Sequence, residues 1–335
     1  MMKIIVDTLG ADSHPAEIVK GGVEAARRYD IEIVFSGESD SIREALKEEG
    51  ERQGSRFSIL SASQVIAMEE SPVQAVRSKR DSSLVKGLLA LHAREADGFV
   101  SPGNTGAVVA GSIFALGGIV GIPRPGIAVS FPSLIGEDIL VIDVGATVDC
   151  HPNHLAGFAL MGAIYCQTIK GVAEPTVGLL SIGGEKHKGN RLVSRTYELL
   201  KKRPFKFAGN VEPHCIVTER PVDIVVCDGF VGNILLKSYE GGAAATVGIF
   251  HQFIKENFTK IGTIGIQAAF TSVRAKMDYR SYGGASLLGV NGVVVIAHGR
   301  SDAEAITAAI NVARLAVQND LTAQISNNSG EVADE

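Results

Sequence analysis

The chain has 335 residues, of which 45% are hydrophobic and 21% charged, so it can bury a large core and is not expected to be disordered. Its net charge of −5, without a strongly basic tract, argues against a nucleic-acid-binding protein, and the lack of Trp argues against an aromatic platform for bases or sugars. None of the four cysteines forms a C-x-x-C pair, so no zinc or redox motif is indicated.

The first residues are predicted to form a strand and not a targeting signal. Residues 1–12, MMKIIVDTLGAD, lack the charged start, apolar stretch and cleavage site of a signal peptide, so a cytoplasmic location is expected. The uncharged stretch from Gly98 to Pro123 is long enough to span a membrane, but it contains prolines, many glycines and polar residues. A buried core helix is therefore predicted there in preference to a transmembrane helix.

Short β-rich runs alternate with helical patterns along most of the chain. The predicted strands, in chain order, are KIIVD, IEIVFSG, RFSILSA, DGFVS, EDILVIDVG, TVGLLSIG, FKFAGN, VDIVVCDG and GVVVIAHG. Predicted helices include AEIVKGGVEAARRY, SDSIREALKEEGERQG, SPVQAVRSKRDSSLVKGLLALHARE in one or two pieces, and SDAEAITAAINVARLAVQND. The alternation is typical of an α/β fold in which helices cover both faces of a doubly wound, mostly parallel sheet. Residues 326–335 are expected to be a frayed tail.

Five of the predicted strands end in loops rich in Gly, Asn, Asp, Ser and Lys. These loops are VDTLGAD (6–12), VSPGNTGA (100–107), VIDVGATVDC (141–150), LSIGGEKHKGN (180–190) and VVCDGFVGN (225–233). Because the carboxyl ends of parallel strands share one edge of a sheet, the five loops are expected to line one cleft. Glycines let backbone N–H groups approach an anion, and helix N-termini favour negative charge. The sequence therefore predicts a site for phosphate or another small anion.

The loops do not carry the motifs of three large enzyme groups. The patterns G-x-x-x-x-G-K-[ST] and G-x-S-x-G do not occur, and no G-x-G-x-x-G follows a predicted strand. A P-loop NTPase, a serine hydrolase and a standard dinucleotide-binding fold are therefore disfavoured.

Seven segments resemble the PlsX family of bacterial phosphate acyltransferases. They follow the order of that family and are MEESPVQAVRSKRDSS (68–83), DGFVSPGNTGA (97–107), DVGATVDC (143–150), KGN (188–190), GNVE (209–212), VVCDGFVGNILLK (225–237) and DYRSYGGASLLGVNGVVVIAHG (278–299). The last two segments are long and distinctive, so the chain is identified as a member of this family.

The resemblance implies transfer of a long-chain fatty acyl group from acyl carrier protein to inorganic phosphate, giving acyl phosphate for phospholipid synthesis. It implies an α/β/α core related to phosphotransacetylases and to isocitrate and isopropylmalate dehydrogenases, as one catalytic unit over residues 1–335. A homodimer, peripheral contact with the membrane or its glycerol-3-phosphate acyltransferase, and no metal or organic cofactor are expected. A helical segment at about 241–280 interrupts the strand–helix alternation and is expected to form a dimer interface, a lipid contact, or both.

Acyl transfer to phosphate requires donors for the phosphate and for the oxyanion that develops on the thioester carbonyl. The candidate phosphate-binding residues implied by the matching loops are Arg77, Gly103, Asn104, Thr105, Gly106, Asp143 and Gly145. Lys188 is a further catalytic candidate and is expected to bind phosphate. Asn233 is a candidate hydrogen-bond donor to the oxyanion. Asp228 either orients phosphate or caps the following helix. His298 is either a base or a hydrogen-bonded structural histidine.

Several other residues have a functional and a structural interpretation. Cys227 is a candidate for covalent acyl transfer, although a small core residue is favoured at a strand end. His151 and His154 have metal-ligand spacing but no acidic third ligand nearby in the sequence, so no metal site is predicted. The basic runs at 76–81 and 200–206 are candidate docking surfaces for the acidic carrier protein or, especially the second, solvated helix faces.

Five loop residues depart from the family pattern. Ala11 replaces a Gly and Thr147 an Asn, while Ser181, Gly184 and Lys186 stand where Asn, Glu and an acid are usual. These changes bear on acyl-chain length, carrier preference and activity, not on fold. Two alternatives therefore stay open: a phosphotransacetylase-like paralogue for short acyl groups, and a catalytically weak scaffold of lipid synthesis.

Overall fold

The structure, a computed structural model, describes residues 1–257 and 283–330. Eleven strands occur in these ranges: β1 (Lys3–Asp7), β2 (Glu32–Gly37), β3 (Phe57–Ser61), β4 (Gly98–Ser101), β5 (Gly126–Phe131), β6 (Ile139–Ile142), β7 (Thr176–Leu180), β8 (Lys206–Val211), β9 (Ile224–Val226), β10 (Ala285–Leu288) and β11 (Val293–Ile296). The helices there are α1 (Pro15–Tyr29), α2 (Ser39–Glu48), α3 (Pro72–Ser78), α4 (Ser83–His92), α5 (Thr105–Leu116), α6 (Pro152–Lys170), α7 (Arg191–Leu200), α8 (Pro213–Thr218), α9 (Gly229–Asn257), α10 (Ala303–Gln318) and α11 (Leu321–Asn328).

All described strands belong to one sheet in the order β3-β2-β1-β4-β11-β10-β5-β6-β9-β7-β8. Seven of its ten pairings are parallel, and the three antiparallel ones lie together in the middle, where β10 and β5 pair with each other and with β11 and β6. Helices pack on both faces. The prediction of an α/β fold with a doubly wound, mostly parallel sheet is confirmed.

The two central strands, β5 and β10, are missing from the sequence prediction. Both are short apolar runs beside a glycine, with Gly126 as the first residue of β5 and Gly284 just before β10, and neither alternates regularly between apolar and charged residues. Three successive antiparallel pairings reverse the strand direction between β11 and β6. The carboxyl ends of β1, β4 and β11 therefore lie at one edge of the sheet and those of β6, β7 and β9 at the opposite edge. The prediction that the five loops share one edge is wrong.

The core is divided by the sheet. One face carries a continuous apolar cluster that includes Phe99, Ile127 and Val141, from both halves of the sheet. The opposite face carries two clusters, one beneath α1 and α10 and one around α6, whose Phe158 is fully buried. Helix α6 is buried on all sides from Leu155 to Cys166, which explains its lack of a polar stripe.

Three local predictions can be compared with the structure. The region 71–95 contains two helices, α3 and α4, as one of the two predicted arrangements has it. The stretch Gly98–Pro123 forms β4 and α5, and no helix in the described residues is long and apolar enough to cross a bilayer. The prediction of a frayed tail is wrong for residues 326–328, which belong to α11. Buried Leu321 and Ile325 hold that helix against the core. Residues 258–280 of the predicted helical segment lie outside the described ranges.

Replacement of Phe158 by Ala tests the packing around α6. Because this ring is fully buried and touches the β5 backbone at Gly126, we expect Phe158→Ala to lower the free energy of unfolding by about 3–5 kcal/mol. The matched control is Phe114→Ala on α5, whose ring is 53% exposed and should cost under about 1 kcal/mol. Urea unfolding followed by circular dichroism gives both values, and equal losses would contradict the assigned core.

Candidate active site

A cleft of about 590 Å³ opens over the central antiparallel strands, within the size range of small-molecule sites. Its floor is apolar because Ile127, Val129 and Phe131, which alternate along β5, point to the same face, and Ala285 of β10 lies beside them. Tyr239 of α9 closes one end of the floor, with its ring 5.6 Å from that of Phe131. The cleft therefore offers an apolar surface framed by loops from both halves of the sheet.

One wall comes from the first half of the sheet. Gly103, Thr105 and Gly106 follow β4 and form the start of α5, and His298 follows β11. The amides of Thr105 and Gly106 occupy the first turn of α5, where backbone N–H groups have no partner within the helix. An anion at this end of the cleft would be favoured by these donors and by the helix dipole.

Asn104 lies beneath this wall and does not line the cleft. Its Oδ1 accepts from the amide of Ala107, 3.0 Å away, so it caps α5. Its Nδ2 faces three carbonyls, the nearest being that of Met68 at 2.8 Å. The side chain is therefore committed to holding the 67–70 loop against α5, and Met68 of that loop lines the cleft.

Asp7 is a buried carboxyl group that sequence reasoning did not single out, although it lies in a loop quoted there. Its Oδ2 accepts from the hydroxyl of Ser101 at 2.7 Å, and that hydroxyl accepts from the amide of Gly103 at 3.1 Å. Burial raises the pKa of Asp7 to about 6, although hydrogen bonds from Ser83, Ser101 and Leu9 oppose the rise. Asp7 thus positions the Gly103 loop from below.

The opposite wall is organised by Asp143, which is fully buried at the end of β6. Its two carboxylate oxygens accept four backbone N–H groups at 2.7–2.9 Å, one from Ile127 of β5 and three from the loop at 145–147. Burial nevertheless raises the pKa of Asp143, because desolvation outweighs the hydrogen bonds. The loop that it holds presents Gly145 to the cleft, whereas Asp143 itself supports the site from within.

Helix α9 completes this wall with one face of four residues. They are Asn233, Leu236, Lys237 and Glu240, spaced as neighbours on a helix surface. The Nδ2 of Asn233 donates to the carbonyl of Val144 at 3.0 Å, which fixes its amide beside Gly145. Lys237 and Glu240 were not predicted, although their spacing from Asn233 would have identified them once that residue was assigned to the cleft.

Glu240 is the half-buried carboxyl group of this face. Burial raises its pKa, while His298 from the opposite wall and Lys237 from the same helix oppose the rise. The cleft thus brings three basic side chains, Lys237, His298 and Arg300, and the carboxyl groups of Asp12 and Glu240 together around its polar rim.

The remaining candidates lie away from the cleft lining. The Oδ1 of Asp228 accepts from the amides of Phe230 and Val231, at 3.1 and 2.9 Å, which is the capping arrangement predicted as one of its two roles. Lys188 lies in the loop between β7 and α7, beyond the β9 loop in the sheet order. Arg77 is exposed on α3, with its guanidinium 5.3 Å from the ring centroid of Phe114.

The cysteine and histidine alternatives have structural roles. Cys227 is buried, its thiol donates to the carbonyl of Asp143 at 3.2 Å, and burial raises its pKa well above the usual value. A thiol that stays protonated and outside the cleft is a poor nucleophile. The Nδ1 of His154 accepts from the amide of His151 at 3.2 Å, so this pair stabilises the start of α6.

Two of the five unusual loop residues make polar side-chain contacts, and Ala11 packs against the apolar cluster beneath α1. The hydroxyl of Thr147 donates to the carbonyl of Pro125 at 3.1 Å, which ties the Asp143 loop to the start of β5. Lys186 pairs with Glu198 of α7 at 2.8 Å, on the surface. Gly184 has open space around it, and the buried Ser181 hydroxyl has no hydrogen-bond partner among the described residues.

Comparison with known proteins gives concordant results. The family described as "Fatty acid synthesis protein" matches residues 2–324. The chain is 45% identical over 330 residues to the phosphate acyltransferase of Desulfitobacterium hafniense (strain Y51), across 97% of this chain and 96% of that protein. It is 44% identical over 337 residues to the phosphate acyltransferase of Halothermothrix orenii, across 98% and 100% of the two chains.

Solved structures share the fold at low sequence identity. A phosphotransacetylase from Streptococcus pyogenes superposes with a TM-score of 0.61 at 17% identity, over 96% of this chain and 94% of its own. A 4-hydroxythreonine-4-phosphate dehydrogenase from Klebsiella pneumoniae gives 0.56 at 10% identity, over 95% and 100%. The predicted fold relationship to phosphotransacetylases is confirmed, and a 4-hydroxythreonine-4-phosphate dehydrogenase shares the fold as well.

Replacement of Asp7 by Asn tests the buried carboxyl group through the pH dependence of stability. Its folded pKa of about 6, against an ordinary 3.8, means that the folded state holds the proton while the unfolded chain releases it. Its contribution to stability therefore falls as pH rises from about 4 to about 6, by roughly 3 kcal/mol. We therefore expect the free energy of unfolding of Asp7→Asn, relative to that of the parent, to rise by roughly 3 kcal/mol between pH 4 and pH 7. Urea unfolding at each pH measures this difference.

The control for this experiment is Ser101→Ala, which removes the hydrogen bond that the hydroxyl donates to Asp7 and the one that it accepts from Gly103, but leaves the carboxyl group in place. It should retain the fall in stability that Asp7→Asn abolishes. A difference between Asp7→Asn and the parent that stays constant across this pH range would contradict the assignment.

Proposed function

The chain belongs to the fatty acid synthesis protein family of phosphate acyltransferases, and from this premise we propose that it transfers a long-chain fatty acyl group from acyl carrier protein to inorganic phosphate. The product is an acyl phosphate for phospholipid synthesis. The observation that carries the proposal is the single cleft in which an apolar floor on β5 and β10 adjoins a rim of anion-binding groups.

Phosphate binds in this proposal between the start of α5 and helix α9. The amides of Thr105 and Gly106, together with the ammonium group of Lys237, supply the charge and the donors that a phosphate requires. Lys188 is kept as a further phosphate ligand from the sequence, although it lies outside the cleft lining. Holding phosphate beside the thioester lowers the barrier mainly by positioning and by stabilising charge.

The acyl chain lies along the apolar floor, with the thioester carbonyl next to Asn233. A phosphate oxygen attacks the carbonyl carbon, the amide of Asn233 stabilises the oxyanion, and collapse breaks the carbon–sulfur bond. The carrier leaves as a thiolate that takes a proton from water. The Nδ1 of His298 accepts from the amide of Arg300 at 3.1 Å, which is the hydrogen-bonded arrangement predicted as one of the two roles of this histidine. Each buried methylene of the chain contributes about 0.8 kcal/mol, so the floor favours long chains over an acetyl group.

Surface charge and exposed apolar residues support the proposed contacts with acyl carrier protein, a second copy of the chain and the membrane. Acyl carrier protein is proposed to dock by charge on the exposed Arg77 of α3 and the exposed Arg80 just after this helix. Pro72 of α3 packs against Gly106 at the cleft. A homodimer and peripheral membrane contact are proposed for the region that starts on α9. There Ile249 and Phe250 are more than half exposed, which supports a contact surface for a second copy or for lipid.

A turnover assay tests the proposal. Purified chain is mixed with palmitoyl-acyl carrier protein and phosphate, and acyl phosphate is trapped with hydroxylamine, beside reactions with palmitoyl-CoA, with acetyl-CoA and without phosphate. We expect phosphate-dependent product from the carrier thioester and a roughly 10²–10³-fold lower kcat in Asn233→Ala. Lys237→Ala should raise the KM for phosphate, and Lys20→Ala, at an exposed position on α1, should match the parent.

Other outcomes of this assay select an alternative. Product from acetyl-CoA alone would make the chain a short-chain enzyme of the phosphotransacetylase type. No product from any thioester, with carrier protein still bound, would support a scaffold. Full activity of Asn233→Ala would remove that residue from the mechanism.

Filling the floor tests where the acyl chain lies. Ala285 of β10 lines the cleft, and Ala285→Phe should shorten the chain that fits by several methylenes. At about 0.8 kcal/mol each, we expect kcat/KM for the palmitoyl thioester to fall about 10²-fold while that for the octanoyl thioester changes little. The control is Ala93→Phe, at an exposed position after α4. An equal loss at every chain length would contradict this placement.

A further inference from the structure

A group of metal-ligating side chains lies on and just after the short helix α8, away from the cleft lining. His214, Cys215 and Glu219 each direct one ligand atom so that the three atoms lie within 4.8 Å of one another. The backbone supports this arrangement, because the amide of Glu219 donates to the carbonyl of Cys215 at 3.0 Å and keeps the two side chains one helical turn apart. Residues four apart on a helix share a face.

The spacing of the two soft ligands matches a tetrahedral cation site. The Nε2 of His214 lies 3.5 Å from the Sγ of Cys215. Bonds of about 2.0–2.1 Å to nitrogen and about 2.3 Å to sulfur, at a tetrahedral angle, place these two atoms roughly 3.5–3.6 Å apart on a shared Zn²⁺. The observed separation of the two atoms therefore equals the one that a shared cation requires.

A second observation concerns the other nitrogen of the same imidazole. The Nδ1 of His214 faces the carboxylate of Glu212, with Nδ1 and Oε2 3.8 Å apart. Histidines that bind metals commonly direct their second ring nitrogen to a carboxylate, which orients the ring and raises its basicity. Glu212 therefore lies on the Nδ1 side of the ring, at ion-pair distance and not at hydrogen-bond distance, while Nε2 faces Cys215.

We propose that α8 binds a divalent cation of borderline softness, with Zn²⁺ as the reference ion, through His214, Cys215 and Glu219, and with water at the fourth position. Imidazole and thiolate ligands favour Zn²⁺, Co²⁺ and related ions over Mg²⁺ and Ca²⁺, which prefer oxygen ligands. Binding releases the thiol proton of Cys215 to solvent, because the thiolate is the ligand. The exposure of His214 and Glu219 leaves the site open to solution.

The site lies one hydrogen bond from a loop that leads to the cleft. The carbonyl of Val217 on α8 accepts from the amide of Leu134 at 2.8 Å, in the segment that follows β5. Pro132, two residues earlier, lines the cleft. A cation that tightens α8 would therefore stabilise the anchor of this loop, and bound cation should raise the melting temperature.

The experiment is a Co²⁺ titration of the reduced full-length chain, followed by its absorption bands and then by Zn²⁺ competition. Tetrahedral Co²⁺ with a thiolate ligand gives intense visible bands and a sulfur-to-cobalt charge-transfer band, which report the ligand set independently of enzyme activity. We expect one Co²⁺ per chain, displaced by Zn²⁺. The charge-transfer band should disappear in Cys215→Ser, and affinity should fall at least tenfold in His214→Ala and Glu219→Gln.

The orienting role of Glu212 and the specificity of the site have their own variants. Glu212→Gln should keep the bands but weaken binding by about 10–100-fold. His92→Ala, at an exposed histidine on α4, is the matched control and should bind as the parent does. Circular dichroism verifies that each variant folds.

Three results would overturn the proposal. One is Co²⁺ binding that is unchanged in Cys215→Ser and His214→Ala, which would place the metal elsewhere. The second is bound Co²⁺ without a thiolate band in the parent chain. The third is no saturable binding of either cation up to 100-fold excess over protein.

Discussion

The candidate site depends on the carboxylate of Asp143. It is fully buried, and it accepts four backbone N–H groups, one from the central strand β5 and three from its own loop. A buried charge of this kind is tolerated only when hydrogen bonds replace its lost hydration. The carboxylate therefore fixes the loop to the floor of the cleft, and the loop in turn fixes Gly145 and, through the carbonyl of Val144, Asn233.

Gly229 and Gly232, in the segment CDGFVGN (227–233), let helix α9 pack against the Asp143 loop. A side chain on Gly232 would collide with the carbonyl oxygen of Asp143, and one on Gly229 would lie 2.7 Å from the carbonyl oxygen of Thr147. Helix α9 can approach the Asp143 loop only because both positions lack a Cβ atom. The capping carboxylate of Asp228 then starts the helix at the point of contact, so that the face containing Asn233 and Lys237 meets the cleft.

The reversal of strand direction determines which loops meet at the cleft. With parallel strands throughout, every loop that follows the carboxyl end of a strand would lie at one edge, as in an ordinary nucleotide-binding sheet. Here β5 and β10 separate two parallel halves that point in opposite directions, and their exposed face becomes an apolar floor. Loops from both halves reach that floor from opposite sides. An acyl chain and a phosphate can therefore meet over the middle of the sheet.

The sequence alone determined the elements whose patterns are local. The period of α1 and the apolar runs of β1 and β9 can be recognised from neighbouring residues, and capping of α9 was one of the two roles predicted for Asp228. Several segments also identify the family. It also pointed to Gly103, Gly145 and Asn233, because strand-to-helix loops rich in glycine mark ligand sites.

The tertiary structure alone decided the direction of β5 and β10, the division of the loops between two edges, and the separation of cleft-lining residues from supporting ones. It removed the side chains of Asn104 and Asp143 from the cleft surface and added Lys237 and Glu240 to it. The physical reason is that strand direction, burial of a carboxyl group and the approach of a helix face depend on contacts between residues far apart in the chain. Local patterns carry no record of those contacts.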